Sequence, residues 1–537
     1  MATAGARAGS QPPTSSRNLF VRNATGLVRE LSAFDAFNLV FSAVLIPVGI
    51  TEVMAFTPTF WPHANMLVSF LLATPLVATC GLVYLYFTII MPRSGGDYVW
   101  VSRTLNPFLG FFTNFSLTFV FLTWIAFNFT YMLSVMGPSV AFVAGWNAGW
   151  LTSPDKAELM VISTVLTAAF TGVMILGIRV VAKYMAVLFA IVWIGMIAWL
   201  IDMLIGGRGT LASTFAAHSG TTVPAVIASA NHAGFSAAGG IGWGATIFGM
   251  IYCFQVYTGF QWTGYFAGEI RNVRRTATTS ILGALLIAAI GYVAGAALIY
   301  KYYGFNFFGS LVYDGLGGGA STWKGPFQPY LPALVRFLPG PQWLLVFISI
   351  SFLLAILWWT PTGFMMGTRN MFAWSFDRLA PEKLTQVSDR FHTPVIATIT
   401  VGVIVELLNY LNIYQGLGSY LLNIIAVMGV AFIISSVAAG VTPWRRTQLH
   451  ALAPGWAKVR LAGVPVITIV AVISAISWGF VIYVAFHTGF GGTFGFKPMI
   501  EAFTAPLIGI VYYIGVRLVR RAQGMQLNQA FTEIPPE

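Results

Sequence analysis

Charge is what this chain has least of. Only 8% of its 537 residues are Asp, Glu, Lys or Arg, against 57% hydrophobic. Soluble domains carry about 25% charged residues, and a water-facing surface needs them, so a soluble fold is excluded. Thiols are as scarce. The two cysteines, Cys80 and Cys253, lie inside apolar runs and imply neither a disulfide framework nor a redox site. No His and Cys cluster has metal-ligand spacing, so no metal and no cofactor are expected. The six histidines, His63, His218, His232, His392, His450 and His487, all fall in or near loops. An intramembrane enzyme needs His and acid paired inside the bilayer, so an enzyme is not expected. Neither a soluble signalling domain nor a channel filter signature is present, which argues against a sensor and a channel.

What is there is length of apolar run. A membrane helix needs roughly 20 apolar residues, and twelve segments qualify. They lie near 34–60, 66–90, 104–135, 157–177, 181–205, 245–268, 277–301, 342–373, 394–412, 416–440, 461–487 and 499–521. The expectation is an all-α integral membrane protein with both termini on one side. If that side is the cytoplasm, then of the 28 Lys and Arg only Lys156, Arg208, Lys301, Lys324, Arg336 and Lys497 face outward. That is the bias of the positive-inside rule, and it accounts for the net charge of +12 without a nucleic-acid partner. We expect a flexible cytoplasmic tail over 1–32, one transport domain over 33–521 and a cytoplasmic tail over 522–537, in the cytoplasmic membrane. The opening MATAGARAGSQPPTSSRN has no apolar core and does not read as a signal peptide. Two long outer loops, about 206–244 and 302–341, are expected to fold over the mouth of the protein.

Two helices contain breakers at matching places. SAVLIPVGIT, residues 42–51, has Pro47 and Gly49; VYTGFQWTG, residues 256–264, has Gly259 and Gly264. Proline removes a backbone donor and clashes with the preceding turn. Irregular backbone inside a membrane is tolerated where it lines a cavity, and unwound helices build many transporter sites.

Four ordered motifs carry a resemblance. PRSGGDYVWVSRTLNPFLGFF, residues 92–112, resembles the connector between helices two and three in the amino acid–polyamine–organocation (APC) superfamily. Pro92, Gly95, Gly96, Tyr98, Arg103 and Gly110 fall in place. YTGFQWTGYFAGEIRNVRRT (257–276), GTRNMFAWSFDRLAPEKL (367–384) with Thr393-Pro394, and LSAFDAFNLV (31–40) are similar to the exit of helix six, the end of helix eight and the entry to helix one. The resemblance implies a leucine-transporter-type fold. It has a 5+5 inverted repeat of helices 1–5 and 6–10, broken helices 1 and 6, two additional C-terminal helices, and alternating access. It also implies Tyr98 packed inward on helices one and six, Arg93 and Arg103 holding the cytoplasmic side, and Asp35, Gly95, Gly96 and Glu269 as inner-loop or gating residues.

The chain departs from the family where substrate is held. In place of Gly-x-Gly in helix one stand Ile46, Pro47 and Val48, and the usual hinge acid of helix six is Gln261. Carboxylate capture is expected through the Val48, Gly49 and Ile50 amides or Ser42. The implied substrate residues are Ser42, Pro47, Val48 and Gly49, then Tyr257, Thr258, Gly259, Phe260 and Gln261, with Trp124, Asn128, Trp359 and Thr362 as walls. With no acid at either break the pocket reads as neutral. That suits a neutral, apolar or aromatic amino acid; an organic cation, polyamine or other small amine is the alternative. Glu406 and Thr360 are the candidates for coupling, to a proton rather than sodium. A uniporter or exchanger stays open, as do substrate, direction and oligomeric state.

Overall fold

The computed structural model describes residues 29, 31–147, 153–236, 239–317, 323–417, 421–487, 496–525 and 531. The expected tail over 1–32 lies outside them up to residue 28, and most of 522–537 does too.

Among the described residues, eleven helices are long and apolar enough to cross a membrane. We number them by span. Helix 1 runs Ala33–Phe60 in two halves, 1a (Ala33–Val44) and 1b (Ile46–Phe60). Helix 2 is Met66–Ile90, helix 3 Pro107–Ala144, helix 4 Lys156–Ile175 and helix 5 Ile178–Ile205. Helix 7 is Val273–Tyr302, helix 8 Gln342–Phe376, helix 9 Val395–Gln415, helix 10 Leu421–Arg445, helix 11 Val466–His487 and helix 12 Phe496–Ala522. The twelfth span is helix 6, which falls in two short pieces, 6a (Trp243–Tyr257) and 6b (Trp262–Tyr265).

Helix 1a packs on helices 7 and 8, helix 7 on helix 2, helix 8 on helix 5, and helix 9 on helices 3 and 4. Helices 10 and 11 pair with each other, while helix 12 lies against helices 3 and 10. The broken helix 1 is thereby enclosed, and helices 4 and 12 present much of their surface outward.

Helix 1 breaks at Leu45, which takes a left-handed conformation at φ 48, ψ 53. For a branched residue this costs about 1–2 kcal/mol. The cause lies two residues on. Pro47 cannot donate to the Ala43 carbonyl, and its ring would clash there, so 1a must end before it. Helix 1b then starts afresh with Pro47 in its first turn. In helix 6 the turn falls at Thr258 and Gly259, where Gly259 sits at φ 145. Pro361 does not break helix 8, which runs unbroken from Gln342 to Phe376.

Helix 11 starts later than its apolar run suggests. Arg460–Leu461 pairs with Val464–Pro465 in a two-stranded hairpin. Its turn residues, Ala462 and Gly463, both have positive φ, the geometry of a tight two-residue hairpin loop.

The long loops hold short helices, Arg208–Ser219 and Val223–His232 in the first, Phe305–Gly315 in the second. They pack on one another and against helix 1b. The Ser229 hydroxyl donates to Asp314 at 2.7 Å, and Phe235 stacks on His63 with ring centres 4.7 Å apart.

Candidate functional site

The two breaks face each other across a cavity of about 60 Å³. Ala43, Val44, Leu45, Val48, Gly49 and Glu52 of helix 1 line it, with Gln255, Val256 and Thr258 of helix 6. Phe121, Trp124 and Asn128 of helix 3 and Trp359 of helix 8 close it. A buried water takes roughly 30 Å³, so this space holds a few waters at most. Any larger occupant requires the side chains to move.

Six expected residues line the cavity: Val48, Gly49, Trp124, Asn128, Thr258 and Trp359. The others lie elsewhere. Ser42 donates to the Leu39 carbonyl and shares a 2.9 Å hydrogen bond with Thr362, tying helix 1a to helix 8. The Tyr257 hydroxyl is 2.7 Å from that of Thr74 on helix 2. Phe260 packs against Tyr84 and Phe432. Gln261 turns back on its own loop, where its Oε1 accepts from the Gly259 amide at 2.8 Å. Pro47 is buried and forms no part of the cavity wall.

Two expectations are corrected. The Val48 and Gly49 amides are not free for a carboxylate, because both donate to the Leu45 carbonyl, at 3.1 and 2.8 Å. Nor is the wall free of acid: Glu52 is part of it, 6% exposed. Its spacing was visible, since Leu45, Val48 and Glu52 fall three and four apart on one helix face.

The breaks touch closely. A Cβ on Gly259 would come within 2.8–2.9 Å of the Ala43 backbone carbonyl carbon, the Ala43 Cβ and the Val44 amide. The Tyr292 hydroxyl of helix 7 lies 2.7 Å from the Val44 carbonyl and 3.2 Å from that of Val256. It also occupies the space beside Gly49, whose added Cβ would be 2.4 Å from it.

At the end of the bundle where the 92–105 connector runs, the buried carboxylates are paired. Gly95 and Gly96 have positive φ, and a Cβ on either would strike Ala373 or Tyr265. They lead into the short helix Asp97–Thr104. Asp97 accepts from Tyr84 and Tyr265 at 3.0 Å and from Asn114 at 2.5 Å. Burial nonetheless pushes its carboxyl up to about 6, the three hydrogen bonds opposing the rise. Arg103 holds Asp377 with both terminal nitrogens, at 2.7 and 2.9 Å. This pair is almost wholly buried. Tyr98 donates to Asp377 at 2.6 Å, so its hydroxyl meets the end of helix 8. Phe531 lies with its ring centre 4.8 Å from the Arg103 guanidinium. Glu269 takes a two-point contact from Arg369, 2.7 Å on each oxygen. Its carbonyl accepts from the Leu31 amide. Asp35 accepts from Ser32 at both backbone and side chain, capping helix 1a.

The coupling candidates face away from the cavity. Thr360 donates to Ile356 one turn back. Glu406 accepts from Thr164 on helix 4 and from Asn409, at the edge of the bundle.

A larger cavity of about 690 Å³ opens at the long-loop end, bordered by Ser134, Trp146, His218, Trp323 and Arg336. Along helix 3, Tyr131 stands between it and the cavity at the breaks, its ring 6.0 Å from Tyr330 and edge-on. A π-helical turn, Met132–Met136, follows directly; such turns are frequent at functional sites.

Two interrupted spans meet around a small cavity, with buried ion pairs toward one end, the build of a membrane transporter. The model of the family "Amino acid permease" matches residues 43–529, and the chain belongs to that family, within the APC superfamily. No curated protein sequence matches it.

Proposed function

We propose that this permease carries amino acids with apolar or aromatic side chains across the cytoplasmic membrane by alternating access. The observation that carries this reading is the cavity between the two breaks, walled by Phe121, Trp124 and Trp359. The basic end, with its connector and the tails 1–32 and 522–537, faces the cytoplasm. The paired groups around Asp97, Arg103 and Glu269 form the inner gate, closed here, and Tyr131 with Tyr330 forms a thin outer one.

Coupling to protons, or exchange without an ion, fits better than coupling to sodium. Carbonyls at the ends of broken helices are the usual cation ligands, and here Tyr292 holds two of them. A second reading, with a small amine as cargo, is favoured by Glu52 in the cavity wall.

Counterflow in proteoliposomes tests the reading, scanning the individual amino acids with a few amines as controls. It needs no ion gradient, so the coupling mode does not affect the answer. Uptake driven by one or several amino acids is expected; silence for all of them would overturn the cargo.

A further inference from the structure

Glu52 is buried in the middle of the candidate site, and among the described residues no cationic side chain pairs with it. An uncompensated carboxylate inside a membrane protein is costly and marks function. The same wall holds two more acceptors without donors, Asn128 Oδ1 and Gln255 Oε1, both buried. Three residues with acceptors line one cavity, and a group rich in donors would match them. An ammonium has three N–H donors and no acceptor; a carboxylate would bring only more acceptors.

The usual place for a positive group at such breaks is also taken. Half-helix C-termini expose carbonyls that attract cations. The Val44 and Val256 carbonyls, at or near the ends of helices 1a and 6a, both lie within reach of the Tyr292 hydroxyl. Its single proton goes to Val44 or is shared with Val256, and the hydroxyl stands where a substrate's positive end would meet them, so that end is steered to a counter-charge elsewhere.

We propose that Glu52, flanked by Asn128 and Gln255, is the ammonium subsite of this permease, replacing the helix-end carbonyls that Tyr292 occupies. This rests on the cavity being the substrate site. It adds that a primary amino group is the feature the site requires, while a carboxylate is dispensable. Ligands with an ammonium and no carboxylate bind; their deaminated counterparts do not.

The test uses the purified full-length protein and reads ligand-induced change in its tryptophan fluorescence, to which Trp124 and Trp359 at the cavity contribute, with Trp124→Phe and Trp359→Phe assigning the signal. The probes are L-alanine, L-leucine, L-phenylalanine and L-lysine, each with its decarboxylated amine and its deaminated acid. We expect amino acid and amine to bind within about tenfold of each other and the acid to fail. Glu52→Gln keeps the shape and should weaken both by tenfold or more, while Glu52→Asp keeps part of the affinity. Adding Tyr292→Phe to Glu52→Gln releases the two carbonyls and should restore part of the loss, which a merely structural role for Glu52 would not produce. If a deaminated acid binds as tightly as its amino acid, or Glu52→Gln binds like the parent, the ammonium subsite is wrong and the transport reading stands. If no probe binds the parent protein at all, the substrate cavity itself is misplaced, and this inference falls with it.

Discussion

The molecule contains two buried polar clusters, and they are built on opposite rules. Around the 92–105 connector every carboxylate has its donors: Asp377 holds Arg103 and Tyr98, Glu269 holds Arg369, and Asp97 holds two tyrosines and Asn114. In the cavity between the breaks the carboxylate of Glu52 and two amide oxygens have none. Both clusters are buried. Buried polar groups are normally satisfied, so the carboxylates of the first cluster are complete as they stand and the acceptors of the second are not. On the proposed function, the difference separates what holds the bundle shut from what the bundle is built to hold.

The comparison is broken most directly by removing one member of each cluster. Asp377→Ala leaves Arg103 buried without its counter-charge and should cost about 3–5 kcal/mol. It would be read as a lower thermal unfolding midpoint in detergent. Glu52→Gln removes a charge that has no partner to lose, and its midpoint should match or exceed the parent's. Equal losses from the two would erase the distinction.

Asp97 sharpens the comparison with pH. A free aspartate has a pKa near 3.8, whereas burial holds this one near 6. The raised value means the folded protein keeps the proton longer than the unfolded chain. Stability is therefore lost as pH rises from about 4 to 6 and stays level above that, by roughly 2–3 kcal/mol. Asp97→Asn carries no such penalty. The unfolding midpoint of the parent relative to this variant should fall across that window; a rise would contradict the burial of the Asp97 carboxyl.

Smaller still is Gly259→Ala. Its methyl meets the Ala43 backbone at 2.8–2.9 Å, and overpacking of this kind costs about 1–3 kcal/mol. Counterflow should fall more than stability, since the seam between the breaks is what is disturbed. The least effect is expected of Glu406→Gln at the bundle edge, within about 1 kcal/mol, with transport unchanged. A loss of proton-driven uptake in that variant would return Glu406 to the mechanism.

The helices were legible because apolar runs of membrane length have no other use, and the structure starts most of them within a few residues of the expected ends. Helix 11 was misplaced at its start because Arg460–Leu461 and Val464–Pro465 are apolar enough to read as span, while the Ala462-Gly463 turn has only a weak signature. Pro47 announced the first break, yet the bend itself falls on Leu45, and a leucine in left-handed conformation leaves no trace in a sequence. The site was half legible. Val48, Gly49, Trp124, Asn128, Thr258 and Trp359 were placed through the family resemblance, and all six line the cavity. Gln261, Ser42 and Thr362 were not separable from true lining residues, because whether a polar side chain faces a cavity or its own backbone is decided by rotamer. Glu52 was left out because acids were sought only at the two breaks, whose residues carry none. One further turn of the same face carries it into the wall.

Gly259 lying against Ala43 with no room for a methyl, and one tyrosine hydroxyl reaching a carbonyl on each side, make the seam between helices 1 and 6 a weld and not a hinge. A weld transmits displacement instead of absorbing it. On the alternating access proposed above, helices 1 and 6 would travel as one piece with helix 7 in tow when the paired cluster opens. The sliding surface would then lie where that piece meets helices 3 and 8, along the faces that carry Phe121, Trp124, Asn128 and Trp359. Those side chains would form both the wall of the pocket and the bearing on which it turns.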